Sequence, residues 1–299
     1  MDFPKVIILI LNWNGKSDTI DCIESLKAVD YPNYYILLID NGSTDGSVEL
    51  FKNKYPGIEI IQNKKNLGFA EGNNSGIRYV YDNNYEYLLL LNNDTTVSTD
   101  FLNKLVIAAE NYKNVGFAGP MIYFYDYHGR KDIISFVGGK LSKWRGTVRH
   151  LGAKEVDNGQ YNRTIEVDYV EGSCILVKRD VIEKIGLLDP QYFLYWEDTD
   201  WCERGRKIGY KTISVPDAKI WHKISATSNR RGGTNSYYMT RNCFIFMRKN
   251  ASTSQFISFL TYFILFKFWY NILMYGIYYR NIAELKGFLK GTFDYFIKT

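Results

Sequence analysis

Leu88-Leu89-Leu90-Leu91-Asn92-Asn93-Asp94-Thr95 is a run of four leucines that stops abruptly at three polar residues. A short continuous apolar run of this kind fits a strand buried on both faces of a parallel sheet. The switch at Asn92 marks its carboxyl end, and ligands of open α/β sheets bind just beyond such ends. Upstream runs repeat the pattern: residues 6–11 lead into Asn12-Trp13-Asn14-Gly15, residues 35–39 into Asp40-Asn41, and residues 58–61 towards Asn66. Helical spacing occupies 17–28, 46–54, 71–81 and 100–111, and another strand is expected at 115–118. This alternation predicts an α/β domain with a mostly parallel twisted sheet flanked by helices.

Composition agrees. A chain of 299 residues with 46% hydrophobic and 23% charged residues folds, which excludes a disordered or low-complexity protein. Cys22, Cys174, Cys202 and Cys243 are too scattered for a disulfide framework or a CxxC zinc site, so a reducing, cytosolic setting is expected. Residues 6–11 lack a cleavage site and are not expected to be a signal peptide. Residues 223–299 carry 11 Lys/Arg against Glu284 and Asp294, a local charge of +9, leaving −4 on the rest. Such a tail prefers an anionic surface, and its aromatic residues favour lipid over nucleic acid.

Beyond 120, glycine-rich turns with Lys140, Lys143, Arg145 and Arg149 suggest an insertion or acceptor-facing section. A strand at 170–177 and a helix from Arg179 to Gly186 follow, then a helix from Glu197 to Gly209. Residues 256–279 contain one charge, Lys267, among many aromatics, with Arg248, Lys249, Arg280, Lys286 and Lys290 around them. An in-plane membrane helix fits better than a simple span, because Lys267 and Asn271 are central. A helix pair packed on the body or an oligomer interface is the competing expectation.

Several constellations could carry chemistry. Asp40-Asn41-Gly42-Ser43-Thr44-Asp45-Gly46-Ser47 reads either as a turn with a Ser43 or Thr44 helix cap, or as Asp40 accepting the imide N–H of a pyrimidine. Gly68, Gly72 and Gly76 recur every four residues, so one helix face permits close approach to a strand or a ligand. No GxGxxG follows the first strand, which disfavours a dinucleotide site. Asp94 suits a hard cation. His222, after an apparent edge strand, would complete with it an N/O set that suits Mn²⁺ better than Mg²⁺. Glu197, Asp198 and Asp200 follow Tyr192-Phe193-Leu194-Tyr195-Trp196, where helix-start acids and a general base beside a sugar-stacking wall are both plausible readings. Spacing does not say which acid acts.

Asn12-Trp13-Asn14-Gly15, Asp40 to Asp45, Asn66-Leu67-Gly68-Phe69-Ala70, Asn92-Asn93-Asp94 and Trp196-Glu197-Asp198-Thr199-Asp200 occur in the order seen in glycosyltransferase family 2. Over about residues 4–250 the chain resembles its rhamnosyltransferase and galactofuranosyltransferase-like members. The resemblance implies a GT-A fold, a nucleotide-sugar donor, a divalent metal (Mn²⁺ or Mg²⁺) and inversion at the anomeric carbon. Asp40 matches the pyrimidine-recognising residue, and Asp94 the last residue of the metal-binding DxD motif, with Asn92 in place of the first Asp. Asp198 matches the catalytic base, with Glu197 and Asp200 as alternates or support, and His222 a metal ligand. Nucleotide contacts are expected from Asn12, Asn14, Asp40, Asn66, Gly68 and Asn93, and an acceptor or sugar wall from Trp196 and Glu171.

The expected organisation is a GT-A domain over 1–250, with a nucleotide-sugar half (1–120) and an acceptor half (121–250), then a membrane-associated helical tail over 251–299. The implied activity is transfer from a UDP- or dTDP-sugar, dTDP-rhamnose slightly favoured, to a hydroxyl of a glycan or lipid-linked glycan in polysaccharide synthesis. It would take place on the cytoplasmic face of the cell membrane, without nucleic acid and with a possible homo-oligomer. The competing class is a noncatalytic nucleotide-sugar-binding or scaffold protein on the same fold.

Overall fold

The computed structural model describes residues 3–223 and 233–298. The chain begins β1 (Val6–Asn12), α1 (Lys16–Leu26), β2 (Tyr34–Asp40), α2 (Ser47–Lys54), β3 (Glu59–Gln62), α3 (Gly68–Tyr79) and β4 (Tyr87–Asn92). A short β5 (Thr95–Val97), α4 (Phe101–Asn111), β6 (Val115–Phe124), β7 (Ile134–Phe136), β8 (Gly138–Ser142), β9 (Thr147–Leu151) and β10 (Ile165–Val167) follow. Then come β11 (Cys174–Lys178), α5 (Arg179–Ile185), α6 (Glu197–Lys207), β12 (Lys211–His222) and α7 (Thr234–Asn250). Two compact units form. The first holds the chain up to Lys140, His150–Pro190, and Glu197 through β12. The second takes Leu141–Arg149, Gln191–Trp196, and α7 with the helices after it, so the expected boundary at 250 falls inside it at the end of α7.

In the first unit the sheet order is β10-β12-β6-β11-β4-β1-β2-β3. Parallel pairing runs through β4, β1, β2 and β3, and again between β12 and β6. Strand β11 is antiparallel to both β4 and β6. Val6 to Ile10 and Leu88 to Leu91 are buried throughout, as strands covered on both faces require.

Three local expectations need correction or a decision. Strand β12 is not an edge: it lies between β10 and β6, and β5 pairs with it as well. The N-cap of α2 is Gly46, at φ 78°, not Ser43 or Thr44; Ser43 Oγ instead accepts from the Asn14 N–H (2.9 Å). The glycine face of α3 meets strands: a Cβ on Gly76 would lie 2.3 Å from Ile39 Cδ1, and one on Gly72 would lie 2.9 Å from Leu11 Cδ1.

The second unit is helical and aromatic. Ser252 starts the long helix Thr253–Tyr278 with a capping box to Gln255, and two π-type stretches interrupt it, Phe263–Lys267 and Leu273–Tyr278. The C-terminal helix is Ile282–Lys298. Phe244 of α7 stacks on Tyr295 (5.0 Å) and meets the edges of Phe259 and Phe263, so one aromatic core joins all three helices. Within Gln191–Trp196 the backbone is strained: Phe193, Tyr195 and Trp196 have φ of 63°, 69° and 74°. Buried Asn242 holds them, its amide donating to the carbonyls of Tyr192, Leu194 and Tyr195 at 2.8, 2.8 and 2.9 Å.

Candidate active site

Three distant segments converge at the carboxyl end of β4. Because β11 runs antiparallel to β4 with Cys174 opposite Leu91, the residues before it, Glu171 to Ser173, lie beside Asn92; the Asn92 N–H donates to Ser173 O (2.9 Å). Because β12 pairs with β5 with His222 opposite Thr95, the imidazole arrives next to Asp94, and the Lys223 N–H donates to Asp94 O (2.8 Å). The Lys223 ammonium then bonds Asp18 (2.9 Å) and Asp21 (2.6 Å) of α1. Helix α6 adds Asp198, whose Oδ2 accepts from the Gly172 N–H (2.9 Å). Glu171 and Gly172 thereby link the Asp94–His222 pair to Asp198.

His222 stands between two carboxylates, with Nε2 3.0 Å from Asp94 Oδ1 and Nδ1 3.9 Å from Glu171 Oε1. The Glu171 contact is too long for a hydrogen bond, so His222 Nδ1 is buried without a partner, and Asp94 Oδ1 has only its close ion-pair contact with the imidazole. Only two other buried side-chain atoms among the described residues share that condition, Ser173 Oγ and Glu197 Oε2. All four belong to the segments just described. Unpaired buried polar atoms are costly, and those of Asp94, Ser173 and His222 lie at the same strand end, which points to a ligand-binding or catalytic place rather than to folding.

The charges respond accordingly. Burial opposes the charged form of both partners in the Asp94–His222 pair, but their mutual attraction prevails: the carboxyl falls below its usual range and the imidazole rises to about 9. Burial pushes Asp198 up, against hydrogen bonds from Gly172 and Thr199. Burial also raises Glu171, and it lifts Glu197 furthest, with Asp198 adding like-charge repulsion.

The three acids of α6 separate by their partners. Asp200 is fully buried and paired with Arg204 (2.9 Å), whose guanidinium also bonds the carbonyls of Ile185 and Leu187. Glu197 is buried. Asp198 is the partly exposed one, with its oxygens turned to the Gly172 and Thr199 amides.

Of the expected nucleotide contacts, several knit the loops above β1 and β2. Asn12 is fully buried; its amide donates to Asp40 Oδ2 (2.9 Å) and its Oδ1 accepts from Gly15 N and Thr19 Oγ1. Asp40 is 2% exposed, and its Oδ1 accepts from the Ser43 N–H (2.9 Å). Asn93 donates to Thr19 Oγ1 (2.9 Å), and Asn66 Oδ1 accepts from the Gly68 N–H (2.8 Å) and from Asn41. Asn14 is exposed, at φ 51°, and accepts from the Thr44 N–H (2.8 Å). Trp196, expected with Glu171 to form an acceptor or sugar wall, is buried. It is 6% exposed in the second unit, its indole N–H donating to Met239 O (3.2 Å) and its ring lying 5.0 Å from that of Phe246. Unread in the sequence were Gly172, Ser173 and His150; the last stands edge-on to Phe136 (5.0 Å) and acts electrostatically on Asp198 and Glu171. The polar break Glu171-Gly172-Ser173 between apolar Val170 and Cys174 is the signal that could have found the first two.

Residues 6–186 match the family model described as Glycosyl transferase family 2. The chain belongs to glycosyltransferase family 2. This glycosyltransferase is 28% identical over 260 residues to the dTDP-rhamnosyl transferase RfbF of Shigella flexneri, covering 82% of the chain and 81% of that relative. It is 24% identical over 242 residues to the N-acetylglucosaminyl-diphospho-decaprenol L-rhamnosyltransferase of Mycobacterium tuberculosis, covering 73% and 75%. Among solved structures, the Pyrobaculum calidifontis mannosyltransferase PcManGT, in complex with GDP-Man and Mn²⁺, superposes with a TM-score of 0.62 at 12% identity, over 100% of this chain and 89% of the other. S. aureus TarS 1–349 with UDP-GlcNAc gives 0.58 at 13% identity, over 97% and 80%. These likenesses show the GT-A fold expected from the sequence.

The fit of a divalent cation can be judged from the donor set. Among the described residues no three His, Cys, Asp or Glu side chains group to hold one. Asp94 and His222 nevertheless offer a buried carboxylate oxygen and an imidazole nitrogen 3.0 Å apart at the carboxyl end of β4. Mg²⁺ and Mn²⁺ commonly accept one or two protein ligands and take the rest from phosphate and water. The residues present fit such an ion.

Proposed function

We propose that this glycosyltransferase moves a sugar from a dTDP- or UDP-sugar, dTDP-rhamnose ahead, to a hydroxyl of a lipid-linked glycan, with inversion at the anomeric carbon. The names of the two rhamnosyltransferase relatives, a dTDP-rhamnosyl transferase and an enzyme acting on N-acetylglucosaminyl-diphospho-decaprenol, support the donor and the lipid-linked acceptor. The observation that carries the reading is the convergence of Asp94, His222, Glu171 and Asp198 at the carboxyl end of β4, tied together by the Gly172 N–H bond to Asp198 and the Asn92 N–H bond to Ser173 O. Acceptors of this kind are found at membranes, so the enzyme works at the cytoplasmic membrane surface.

Asp94 and His222 would hold a divalent cation that neutralises charge on the departing diphosphate. Asp198 is the general base. A carboxylate offers about four acceptor positions, and the bonds from Gly172 and Thr199 orient it while leaving room for the acceptor hydroxyl. As the acceptor oxygen bonds the anomeric carbon and the bond to the nucleoside diphosphate breaks, the hydroxyl proton passes to Asp198. Asp40, with Asn12 and Ser43 fixing its carboxylate, is the residue assigned to the imide N–H of the base, and exposed Asn14 borders the same shelf.

Thermal-shift titration with dTDP, UDP, GDP and ADP in Mn²⁺ tests the donor class. Pyrimidine nucleotides should stabilise by RT ln(1 + [L]/Kd); preference for purines overturns the role of Asp40. Loss of rhamnosyl transfer in Asp198→Asn with nucleotide stabilisation intact is the result expected for the base.

A further inference from the structure

We propose that the outer face of helix Thr253–Tyr278 docks, lying in the plane of the interface, on an anionic lipid bilayer. The proposal stands on the second unit alone, and it rests on the reading above only for the lipid nature of the acceptor.

The helix has two unlike faces. Phe259 and Phe263 are buried against α7, with Phe256, Leu260, Phe268, Ile272 and Tyr275 packed beside them. On the other side Ile264, Leu265, Phe266, Trp269, Leu273 and Ile277 are each 55–67% exposed. Only 11% of the helix's most apolar window is buried, although the helix is long and apolar enough to cross a membrane. Single exposed apolar residues are ordinary; a contiguous stripe of this length marks a surface that meets something apolar. The π-type turn at Phe263–Lys267 widens it, bringing three consecutive residues, Ile264, Leu265 and Phe266, to the outside.

The two polar residues that speak against lipid in the sequence lie on the inner face. Lys267 and Asn271 line a cavity of about 350 Å³ in the second unit, together with Trp196, Phe263, Tyr275 and Glu284. Lys267 Nζ also lies 3.5 Å from Gly146 O. The outer stripe therefore carries no charge, and exposed Thr261 satisfies its hydroxyl on Ile257 O (3.0 Å). Because the inner face is packed along its length on α7 and the C-terminal helix, only one side is available to lipid. That geometry suits an in-plane helix and not a span.

Charge selects lipid over a second copy. Arg248 and Lys249, both exposed, precede the helix and exposed Arg280 follows it, so both ends are basic, with Arg248 also bonded to the Tyr295 hydroxyl and Lys249 over the Tyr192 ring (5.5 Å). Pairing two such faces brings cations together in either orientation. The acids of this region are engaged within the unit: Glu284 Oε1 accepts from the Gly233 N–H (3.1 Å) and Asp294 from the Tyr237 hydroxyl (2.9 Å). Anionic headgroups match basic residues at both ends of an apolar stripe, with Trp269 and the tyrosines at headgroup depth.

Vesicle flotation of the full chain tests this, with phosphatidylcholine alone and with an equal mixture of phosphatidylcholine and phosphatidylglycerol. Binding to the anionic vesicles is expected, with loss in L265E/W269E/L273E and a roughly 100-fold loss in R248Q/K249Q/R280Q, at about one surface-charge contribution per residue. Circular dichroism controls for folding of the variants. A second readout needs no charged substitution: tryptophan quenching by brominated lipids, taken as the component lost in Trp269→Phe. Trp269 lies about 5 Å along the axis from the helix midpoint, so an in-plane helix is quenched most by shallow bromines and a spanning one by deep bromines. Absence of flotation, equal flotation by the glutamate variant, deep quenching, or a vesicle-free dimer that the glutamate variant dissociates would each overturn the proposal. Flotation does not depend on nucleotide, so failure of the donor reading in the thermal-shift titration leaves this result separately readable.

Discussion

His222 Nε2 lies 3.0 Å from Asp94 Oδ1 in a buried ion pair, and the other imidazole nitrogen, Nδ1, is buried without a hydrogen-bond partner. An N/O donor pair at this spacing would suit a divalent cation that takes its remaining ligands from phosphate and water.

Asp94→Ala and His222→Ala are therefore each expected to weaken Mn²⁺-dependent nucleotide binding by at least 10- to 100-fold, the range seen when even outer-shell partners of a metal site are lost. Calorimetric titration of dTDP with and without Mn²⁺ checks this. Unchanged metal dependence in either variant removes that residue from the site.

Asp198→Asn should lower kcat by about 10² to 10⁴ while leaving nucleotide binding intact. The pH profile carries the sign. Burial raises the Asp198 carboxyl, so the base becomes protonated, and kcat/KM falls, at a higher pH than the usual aspartate value of about 3.9. An acid limb at or below that value would transfer the role elsewhere.

Burial holds the Glu197 carboxyl well above its usual range in the folded protein. Its pKa is raised by burial and then by Asp198, so its contribution to stability is full below the unfolded value of about 4.3 and is lost as pH rises through the folded value. Glu197→Gln should remove that dependence, gaining stability over the parent at alkaline pH and retaining activity. Urea denaturation at pH 5 and pH 8 makes the comparison.

Gly42→Ala should destabilise the first unit by about 1–2 kcal/mol or more, because the residue has φ 77° and a Cβ would lie 2.6 Å from the Lys65 backbone. Gly57→Ala, with nothing within 4 Å of its Cβ and no positive φ, is the neutral control. A melting temperature shifted equally by both would disprove the turn argument.

Asn242→Ala should cost about 1–3 kcal/mol by leaving buried carbonyls unpaired and freeing three left-handed residues. Hydrogen exchange should rise locally at 192–196; protection equal to that of the parent would show that Asn242 is not the clamp.

Local pattern alone determined much of this protein. The apolar runs ending in Asn12, Asp40 and Asn92 predicted strands, helices and the sheet edge that matters, because burial on both faces writes a strand directly into composition. Glycines spaced by four foretold a close approach on α3. What they approached, the side chains of Leu11 and Ile39, was decided only by packing. The same holds at the site. Nothing local says that β11 runs antiparallel to β4 and so delivers Glu171 and Gly172, or that β12 is an inner strand carrying His222 to Asp94. Glu197, Asp198 and Asp200 are equivalent as letters on a helix start. Arg204 claims Asp200, burial raises the Glu197 carboxyl, and the Gly172 amide orients Asp198. Lys267 and Asn271 look like interruptions of an apolar helix until the tertiary fold turns them inward. Pairing, burial and facing depend on residues far apart in the chain, and only the folded structure sets them.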